Sequence, residues 1–509
     1  MRKLQIRESL LLPILILGIT YLIYFSQFKF IWHDETRILL HLFGYQQKEL
    51  IEELYDGQPK TNEELLVYQK TNENKTWKDT FEAVIQASPT DSPTYIFLLK
   101  IWCSFFGESE LALRSLSILI WTFFITCLYY LSWLLFTDKI SALISTIFAV
   151  LSPRFVNYGL ELWEYGLFSL MTVLSSIFLL KAIHSKKVAG IWIFYALSIV
   201  LGLYTHIFFI FVVLSHFTYF FSLQKLISFF PRKRLYFISS LIFPILLWLP
   251  WVKIGLTSNN SIYSYAQYSW PLLKSLQRWA LTVSSLFDGI FRLPFPSIIL
   301  EVIAVGFFLF SLLYLIQKAS KPTYLFILLM IICSFGSLLL IDIVSHSRYS
   351  TIGRFYVPAL IGVLLSISFL IGKNIVSHQP FLRMGSSLLC VSLIILGAIA
   401  KIPQPIKETG FKGYGSNVIN TALIINQSQY PLVIGEFWVD ILPLSRKIKA
   451  KTHYLLIQQL EDIKITEAYS DVYLVNPSKF LREALQQSDI LWEKTENSEL
   501  WRITVFDAK

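Results

Sequence analysis

The stretch LLLPILILGITYLIYFSQFKFIWHDETR, residues 10–37, decides the fold. Residues 10–31 are mostly apolar, and roughly 20 such residues suffice for a helix to cross a bilayer. The run is too long for a cleavable signal peptide and lacks a small-residue cleavage site, so we expect the helix to be retained. The sequence therefore predicts an integral membrane protein whose first span ends at two adjacent acids.

The composition of the whole chain agrees with this prediction. Of its 509 residues, 54% are hydrophobic and 15% are charged, and the mean hydropathy is +0.56. A soluble domain carries about 25% charged residues. In a membrane protein, a net charge of +10 indicates an excess of basic residues in the cytoplasmic loops, not binding of nucleic acid. The four cysteines form no CxxC pair, which argues against a disulfide framework or a zinc-thiolate site.

Hydrophobic runs along the chain predict an all-α membrane domain with about eleven transmembrane helices. These runs cover residues 10–31, 111–136, 139–153, 162–183, 190–204, 205–223, 235–254, 298–317, 322–342, 355–372 and 384–402. The apolar stretch 94–107 is shorter, and we expect an interfacial or re-entrant helix there.

Loop charges predict the orientation of these spans. If the N-terminus lies in the cytoplasm, six consecutive inner loops are rich in lysine and arginine, and most acids fall in outer loops. The prediction is a multi-pass protein of a bacterial inner (cell) membrane, with a cytoplasmic N-terminus and an extracytoplasmic C-terminus.

Two domains follow from this division. Residues 1–402 form the transmembrane domain, with a large first outer loop at 32–110. Residues 403–509 have the composition of a soluble protein, with strand-like runs at 431–436, 471–475 and 501–506 and a helix-like run at 479–487. We expect a small extracytoplasmic α/β domain there.

The acids after the first span are the first candidates for chemistry. Asp34 or Glu35 could act as a general base at the membrane surface, with Arg37 one helical turn on. A solvated helix end with acids in its first turn has the same local pattern. Local sequence alone leaves both interpretations open.

Four further stretches carry candidates at the outer ends of spans. Each has a structural alternative, since acids and arginines often mark an interface, and a lone histidine is more often a structural residue. The candidates are Asp91, Glu161, Tyr165, His206, Arg348 and Arg354.

The order of these stretches resembles the membrane-embedded GT-C glycosyltransferases. The pattern comprises D-E-T-R after the first helix, P-T-Y followed by FGESELALRSLS, S-P-R leading to Glu161, Y-T-H, and R-F-Y-V-P before a late span. It is most similar to the family-39 group, which contains protein O-mannosyltransferases and bacterial aminoarabinose transferases. The resemblance covers roughly residues 30–210, with a weaker patch near 347–358.

The resemblance implies roles for individual residues. Asp34 aligns with the family's essential first-loop acid, Glu161 with a second acid, and Arg37 with the arginine of D-E-T-R. His206 falls on a histidine that in some members joins an acid in binding a metal, and Asp91 is the expected partner for a divalent ion. Arg354 falls in a late-loop pattern near the lipid phosphate, where Arg348 also lies.

The chain departs from the aminoarabinose transferases at one position. They have Glu-Lys-Pro where this chain has Asp91-Ser92-Pro93, so the lysine that could hold phosphate is missing. No segment matches the luminal insertions of the protein mannosyltransferases, which gives no support for a protein acceptor.

The predicted function is an enzyme, a glycosyltransferase that moves a hexosyl or pentosyl group from a polyprenyl-phosphate donor to an extracytoplasmic glycan or lipid. Asp34 would be its general base. A transporter of polyprenol-linked glycans is the alternative, as is a membrane scaffold whose tail binds a partner. A transporter should bury charges along the middle of its helices, and here the middle of each span is almost free of charge.

Overall fold

The computed structural model describes residues 10–86, 93–185, 189–224, 231–257, 266–287, 297–400, 416–459, 462–463, 469–486, 492–495 and 500–503. Its helices are α1 (Leu11–Ser26), α2 (His33–Leu42), α3 (Gln47–Leu54), α4 (Asn62–Val67), α5 (Trp77–Gln86), α6 (Pro93–Phe106), α7 (Glu110–Phe136), α8 (Lys139–Leu151), α9 (Pro153–Leu160), α10 (Tyr165–His184), α11 (Ala189–Thr205), α12 (Ile210–Gln224), α13 (Pro231–Thr257), α14 (Leu272–Ser284), α15 (Ser297–Lys318), α16 (Lys321–Ile331), α17 (Ser337–Ser345), α18 (Val357–Ile375), α19 (Pro380–Ala400), α20 (Ser416–Ile425), α21 (Trp438–Ser445) and α22 (Lys479–Gln486). Its strands are β1 (Lys60–Thr61), β2 (Pro431–Gly435), β3 (His453–Leu456), β4 (Asp471–Val475), β5 (Trp492–Lys494) and β6 (Leu500–Ile503).

The chain divides into two compact units. The helical unit comprises Met1–Ser26, Ser92–Tyr95 and Glu110–Ile402, and the loop–tail unit comprises Gln27–Asp91, Ile96–Ser109 and Pro403–Lys509. The first outer loop therefore groups with the tail.

The predicted spans coincide with apolar helices. Among the described residues, seven helices are long and apolar enough to cross a membrane, and α8 and α9, bent by 62° at Pro153, make an eighth. Three shorter apolar helices, at residues 11–26, 189–205 and 207–223, account for the remaining predicted spans. The stretch expected to be interfacial is the short helix α6. The fold class predicted from the sequence is confirmed.

Helix α18 forms the centre of the helical unit. It packs against α8, α10, α15, α16 and α19, and its apolar stretch is entirely buried. Pro358 lies in its first turn, where the absence of a backbone N–H costs nothing. The short 3-10 turn Gly353–Tyr356, which comes directly before α18, is therefore attached to a rigid element.

The loop–tail unit is built on a six-stranded mixed sheet of order β1-β3-β2-β4-β6-β5. Strand β2 pairs in parallel with β3 and β4, and β6 pairs antiparallel with β4 and β5. The core of the sheet is aliphatic, and α22 adds Leu481 and Leu485 to it. The α/β tail predicted from its strand-like runs is thus present.

Strand β1 comes from the first loop, so loop and tail share one sheet. Lys60 pairs with Tyr454 of β3, and the Tyr454 hydroxyl donates to Asn62 Oδ1 at 2.9 Å. Gln69 Nε2 donates to the carbonyl of Leu442 at 2.8 Å, and Arg446 Nε donates to Gln69 Oε1 at 2.8 Å. These bonds attach the first loop to β3 and to α21.

A partly buried tyrosine adds a further link within this unit. The Tyr55 hydroxyl donates to the carbonyl of Glu436 at 2.8 Å and accepts from the backbone N–H of Trp438 at 3.1 Å. Burial raises the pKa of Tyr55 to about 12, so the hydroxyl keeps the proton that the first bond needs.

Candidate active site

The turn between α9 and α10 is held by buried side chains of α7. Arg114 is fully buried and donates from Nη1 to the carbonyl of Leu160. Ser117 Oγ donates to the carbonyl of Glu161 at 2.8 Å. Two consecutive carbonyls are therefore fixed, which leaves Glu161 on a turn with a defined conformation.

His206 caps the short 3-10 helix Ile207–Phe209 and is packed among aromatic rings. Its Nδ1 accepts from the backbone N–H of Phe208 at 3.2 Å, and its ring stacks on Phe168 at 4.7 Å. Tyr165 lies 5.3 Å from the same ring. Because Nδ1 is an acceptor, the proton of the neutral ring lies on Nε2, which has no hydrogen-bond partner among the described residues.

The helical unit contains a cavity of about 350 Å³ rich in arginine. It lies where α9, α14 and the segment before α18 meet. Of the nine lining residues that the structure describes, four are arginines and none is an acid. The lining residues are Arg154, Trp270, Arg278, Thr282, Arg348, Thr351, Ile352, Gly353 and Arg354.

Aromatic faces hold two of these arginines. The Arg354 guanidinium lies 4.4 Å from the ring centre of Trp163 and 5.8 Å from that of Tyr165. The Arg348 guanidinium lies 4.3 Å from the ring centre of Trp270. Stacking on a ring restricts the orientation of the guanidinium plane.

Arg154 is held by hydrogen bonds at the beginning of α9. Its Nε and Nη2 donate to Ser285 Oγ at 3.0 and 2.7 Å. A Cβ at Gly353 would lie 3.1 Å from Arg154 Nη1 and 2.5 Å from Thr282 Cγ2. A side chain at position 353 would therefore require Thr282 to shift and Arg154 Nη1 to move by a few tenths of an ångström.

Asp342 fixes the turn that carries Arg348. Its carboxylate accepts from Ser347 Oγ at 2.7 Å and from the backbone N–H groups of Tyr349 and Ser350 at 2.6 and 2.8 Å. One acid near the end of α17 thus organises the whole turn.

Helix α14 has two faces with different functions. Leu272, Leu273 and Leu276 are 69%, 80% and 48% exposed, whereas Arg278 and Thr282 line the cavity. Such an amphipathic helix suits a membrane interface, with leucines toward lipid. An exposed apolar face and part of the cavity lining therefore belong to the same helix.

Tyr165 connects His206 with this cavity. Its ring centre lies 5.3 Å from that of His206 and 5.8 Å from the Arg354 guanidinium, so these three side chains form one neighbourhood. Glu161 lies on the turn between α9 and α10, four residues before Tyr165.

The acids of the first loop lie at the beginning of α2 in the loop–tail unit. The Asp34 side chain is 15% exposed, and its Oδ1 lies 3.5 Å from His33 Nδ1. Glu35 is fully buried, and its Oε2 accepts from the backbone N–H of Trp32 at 3.2 Å. This bond caps α2 and gives Glu35 a structural role, so Asp34 is the more accessible of the two acids.

The predicted site residues thus fall into three groups. Those in the helical unit are Glu161, Tyr165, His206, Arg348 and Arg354. Those at the beginning of α2 are Asp34, Glu35 and Arg37. Asp91, the expected metal partner of His206, lies outside the described residues, and the described part of the chain contains no group of three metal-ligating side chains.

Sequence reasoning missed Arg154 and Asp342 as site residues. The position of Arg154, directly after Pro153 at the end of a span, was the available signal. Nothing local distinguishes Asp342 from an interfacial acid, because its three acceptor contacts appear only in the folded turn.

The chain is similar to known proteins in part of its sequence and in its fold. Residues 89–251 match the model of the dolichyl-phosphate-mannose-protein mannosyltransferase family. The chain is similar to ArnT from Cupriavidus metallidurans bound to undecaprenyl phosphate, with 10% identity over 82% of this chain and 89% of that chain and a TM-score of 0.50. The apo oligosaccharyltransferase from Archaeoglobus fulgidus matches with 12% identity over 90% of this chain and 65% of that chain, at a TM-score of 0.46. No curated protein matches the chain by sequence.

The chain therefore shares its fold with ArnT. The resemblance to GT-C glycosyltransferases of the family-39 type, the group of aminoarabinose and protein mannosyltransferases, is confirmed by the family match over residues 89–251 and by this structural similarity.

Proposed function

We propose that the chain is a membrane glycosyltransferase that transfers a sugar from a polyprenyl-phosphate carrier to a glycan or lipid. The reaction takes place on the extracytoplasmic face of a bacterial inner membrane, with the N-terminus in the cytoplasm. Asp34 is the general base. The sugar, a hexosyl or pentosyl group, is attached to the carrier through its anomeric carbon.

The arginine cavity is the observation that carries this proposal. Guanidinium groups bind phosphate through paired, charge-assisted hydrogen bonds. Four arginines converge on one space of about 350 Å³, a volume in the range of small-molecule sites. The ligand that matches this lining is an anion, and the phosphate of a lipid carrier is the anion expected in a membrane protein.

Helix α14 supports a lipid-linked ligand over a soluble one. Its exposed leucines suit the acyl region, and its next turns reach the cavity with Arg278 and Thr282. A carrier can therefore keep its tail in the bilayer while its phosphate enters the site.

The chemical step is a single displacement at the anomeric carbon. The acceptor oxygen forms a bond to that carbon, the carbon–oxygen bond to phosphate breaks, and its electron pair leaves with the polyprenyl phosphate. Asp34 takes the proton of the acceptor hydroxyl, and the arginines stabilise the charge on the leaving phosphate. Attack from the opposite side inverts the anomeric configuration.

Other predicted residues position the substrates in this scheme. Glu161 orients a sugar or acceptor hydroxyl beside Arg354, and Tyr165 supports the Arg354 guanidinium. Arg37 lies one turn beyond Asp34. His206 presents a buried Nε2–H, which is a hydrogen-bond donor for a ligand oxygen and not a metal ligand in this tautomer.

A deletion strain tests the function directly. Mass spectrometry of its envelope lipids should show an accumulated polyprenyl-linked sugar, together with loss of one sugar from an envelope glycan or lipid. Return of both signals to wild type on expression of the chain, but not of the Asp34→Asn variant, is the expected result. Unchanged lipids and glycans in the deletion strain would refute the proposal.

A transporter of lipid-linked glycans is the second candidate. Transporters place charged residues along a central path, whereas the charged side chains of the described spans lie near helix ends. This distribution favours the enzyme.

A further inference from the structure

The loop–tail unit carries exposed apolar side chains on two neighbouring helices. On α5, Trp77 and Phe81 lie one helical turn apart and are 49% and 51% exposed. On α6, three exposed apolar residues follow one another at helical spacing, namely Leu98, Ile101 and Phe105. We call these five residues the α5–α6 face.

Direct contacts join the two helices. The rings of Phe81 and Phe97 stack with their centres 6.2 Å apart. Lys100 of α6 donates from Nζ to Thr80 Oγ1 of α5, and the same ammonium group lies 5.5 Å from the ring centre of Trp77. The two helices therefore present their exposed apolar residues side by side, and an exposed apolar surface of this kind marks an interaction site.

The chemistry of the α5–α6 face fits the boundary between lipid headgroups and acyl chains. Trp, Phe and Leu are the typical apolar residues of helices that lie in this boundary, where tryptophan is enriched. Exposed charges follow the two aromatic residues of α5 along the helix, with Lys78 Nζ 3.6 Å from Glu82 Oε1. Such a charged face beside an apolar one is typical of a helix in the plane of the membrane surface.

The chain itself keeps α6 close to the bilayer. Phe106 is the last residue of α6, and α7, which is long and apolar enough to cross a membrane, begins at Glu110. The four residues from one to the other can extend over about 14 Å at most. The end of α6 therefore stays near the point where a span begins, so lipid is always within reach of this face.

The same two helices hold the helix that carries Asp34. Thr80 Oγ1 and Lys100 Nζ both donate to the carbonyl of Leu42, the last residue of α2, at 3.1 and 3.2 Å. Asp34 lies eight residues earlier, about 12 Å along the helix. If the α5–α6 face is fixed in the membrane surface, the depth of Asp34 is fixed as well.

We propose that the α5–α6 face docks on the lipids of the outer leaflet and thereby holds Asp34 at the depth where a lipid-linked sugar meets its acceptor. The docking surface goes beyond the proposed function, and its effect on Asp34 rests on that function. From the sequence, an interfacial helix was expected at 94–107 alone. The contribution of α5 and the attachment of α2 appear only in the folded unit.

The full-length wild-type protein in nanodiscs tests the docking. The nanodiscs contain phosphatidylglycerol, phosphatidylethanolamine and a phospholipid with a photoactivatable diazirine next to its glycerol, and cross-linked peptides are identified by mass spectrometry. We expect lipid cross-links on α5 and on residues 98–106. We expect none on α22, where Phe480 is 75% exposed and thus as accessible as Phe105 at 77%. Absence of lipid cross-links on α5, or cross-links of this face to a second copy of the chain in liposomes, would overturn the proposal.

Matched variants test the link to Asp34. Phe81→Glu and Phe105→Glu place a charge in the α5–α6 face, and Phe480→Glu places the same charge on an exposed side chain of the same unit. With the lipid-linked sugar purified from a deletion strain, the first two variants should lower kcat about tenfold, because displacing a catalytic group by about 1 Å can cost up to about a hundredfold. Their affinity for undecaprenyl phosphate should stay within about twofold of wild type. Phe480→Glu should change neither quantity, and thermal unfolding separates these effects from loss of fold.

The possible failures are distinguishable. Lipid cross-links on both helices without any sugar transfer by the wild type would overturn the proposed function and retain the docking surface. Cross-links as expected, with kcat unchanged in Phe81→Glu and Phe105→Glu, would overturn the effect on Asp34. A wild type that transfers sugar but has no lipid cross-links on α5 would overturn the docking surface and retain the function.

Discussion

Replacing Arg354 with lysine separates charge from geometry in the phosphate site. The guanidinium of Arg354 lies 4.4 Å from the ring centre of Trp163, and lysine keeps the positive charge but loses the planar edge of paired donors. One hydrogen bond to a charged group contributes about 1.5–3 kcal/mol. Since about 1.4 kcal/mol corresponds to a factor of ten, affinity for undecaprenyl phosphate should fall about 10- to 100-fold.

The measurement is a lipid titration of purified protein in nanodiscs, with Arg383→Lys as the control. Arg383 is exposed near the beginning of α19, so that change should leave affinity unaltered. Arg354→Met should lose at least as much affinity as Arg354→Lys. If Arg354→Lys binds the lipid within about twofold of wild type, Arg354 does not contact the phosphate and the reasoning fails.

Three further predictions concern shape and stability. Gly353→Ala places a Cβ 2.5 Å from Thr282 Cγ2, so donor affinity should fall severalfold in the same titration, and unchanged affinity would mean that the turn adapts. Burial raises the pKa of Asp440, so ionisation of this carboxyl lowers the stability of the folded protein as the pH rises from the ordinary pKa of 3.8 through the raised pKa. Asp440→Asn cannot ionise and should therefore unfold at a higher temperature than wild type at pH 7. The advantage should disappear below pH 3.8, where the carboxyl is protonated in both states. Gln69→Ala removes bonds to Leu442 and Arg446 and should cost about 1–3 kcal/mol of unfolding free energy, measured by denaturation; no change would indicate that the loop is held by its strand alone.

Much of the helical fold could be predicted because a membrane span is specified locally. A run of apolar residues long enough to cross the bilayer needs no distant partner, and each such run became a helix. The predicted strand runs of the tail succeeded for a similar reason, since alternation and β-branched residues are local signals.

The shared sheet could not be predicted, because its signal is not local. Strand β1 is only Lys60–Thr61, too short to show any periodicity, and it becomes a strand because β3 offers an edge. Pairing across almost four hundred residues is a tertiary property.

Candidate site residues could be named one by one from the sequence, but their arrangement could not be predicted. Motif order selected Tyr165, His206 and Arg354 from separate segments, and the helical unit brings these three side chains together. The convergence of four arginines from separate segments depends on helix packing, which no single segment encodes. Glu35 was a catalytic candidate by sequence, but the structure shows that its carboxylate caps α2 by accepting from the backbone N–H of Trp32. This contact exists only in the folded first turn of the helix.

The central claim is that this chain transfers a lipid-linked sugar with Asp34 as base. The most direct measurement adds purified wild-type or Asp34→Asn protein to envelope lipids extracted from a deletion strain, with a wild-type acceptor fraction, and follows the accumulated lipid-linked sugar by mass spectrometry. The account predicts that the wild type consumes this lipid and releases the polyprenyl carrier, and that Asp34→Asn does so about 10²- to 10⁴-fold more slowly while still binding the donor. Asp34→Asn turnover above about a tenth of wild type would contradict the role of Asp34, and failure of the wild type to consume the lipid would contradict the transferase itself.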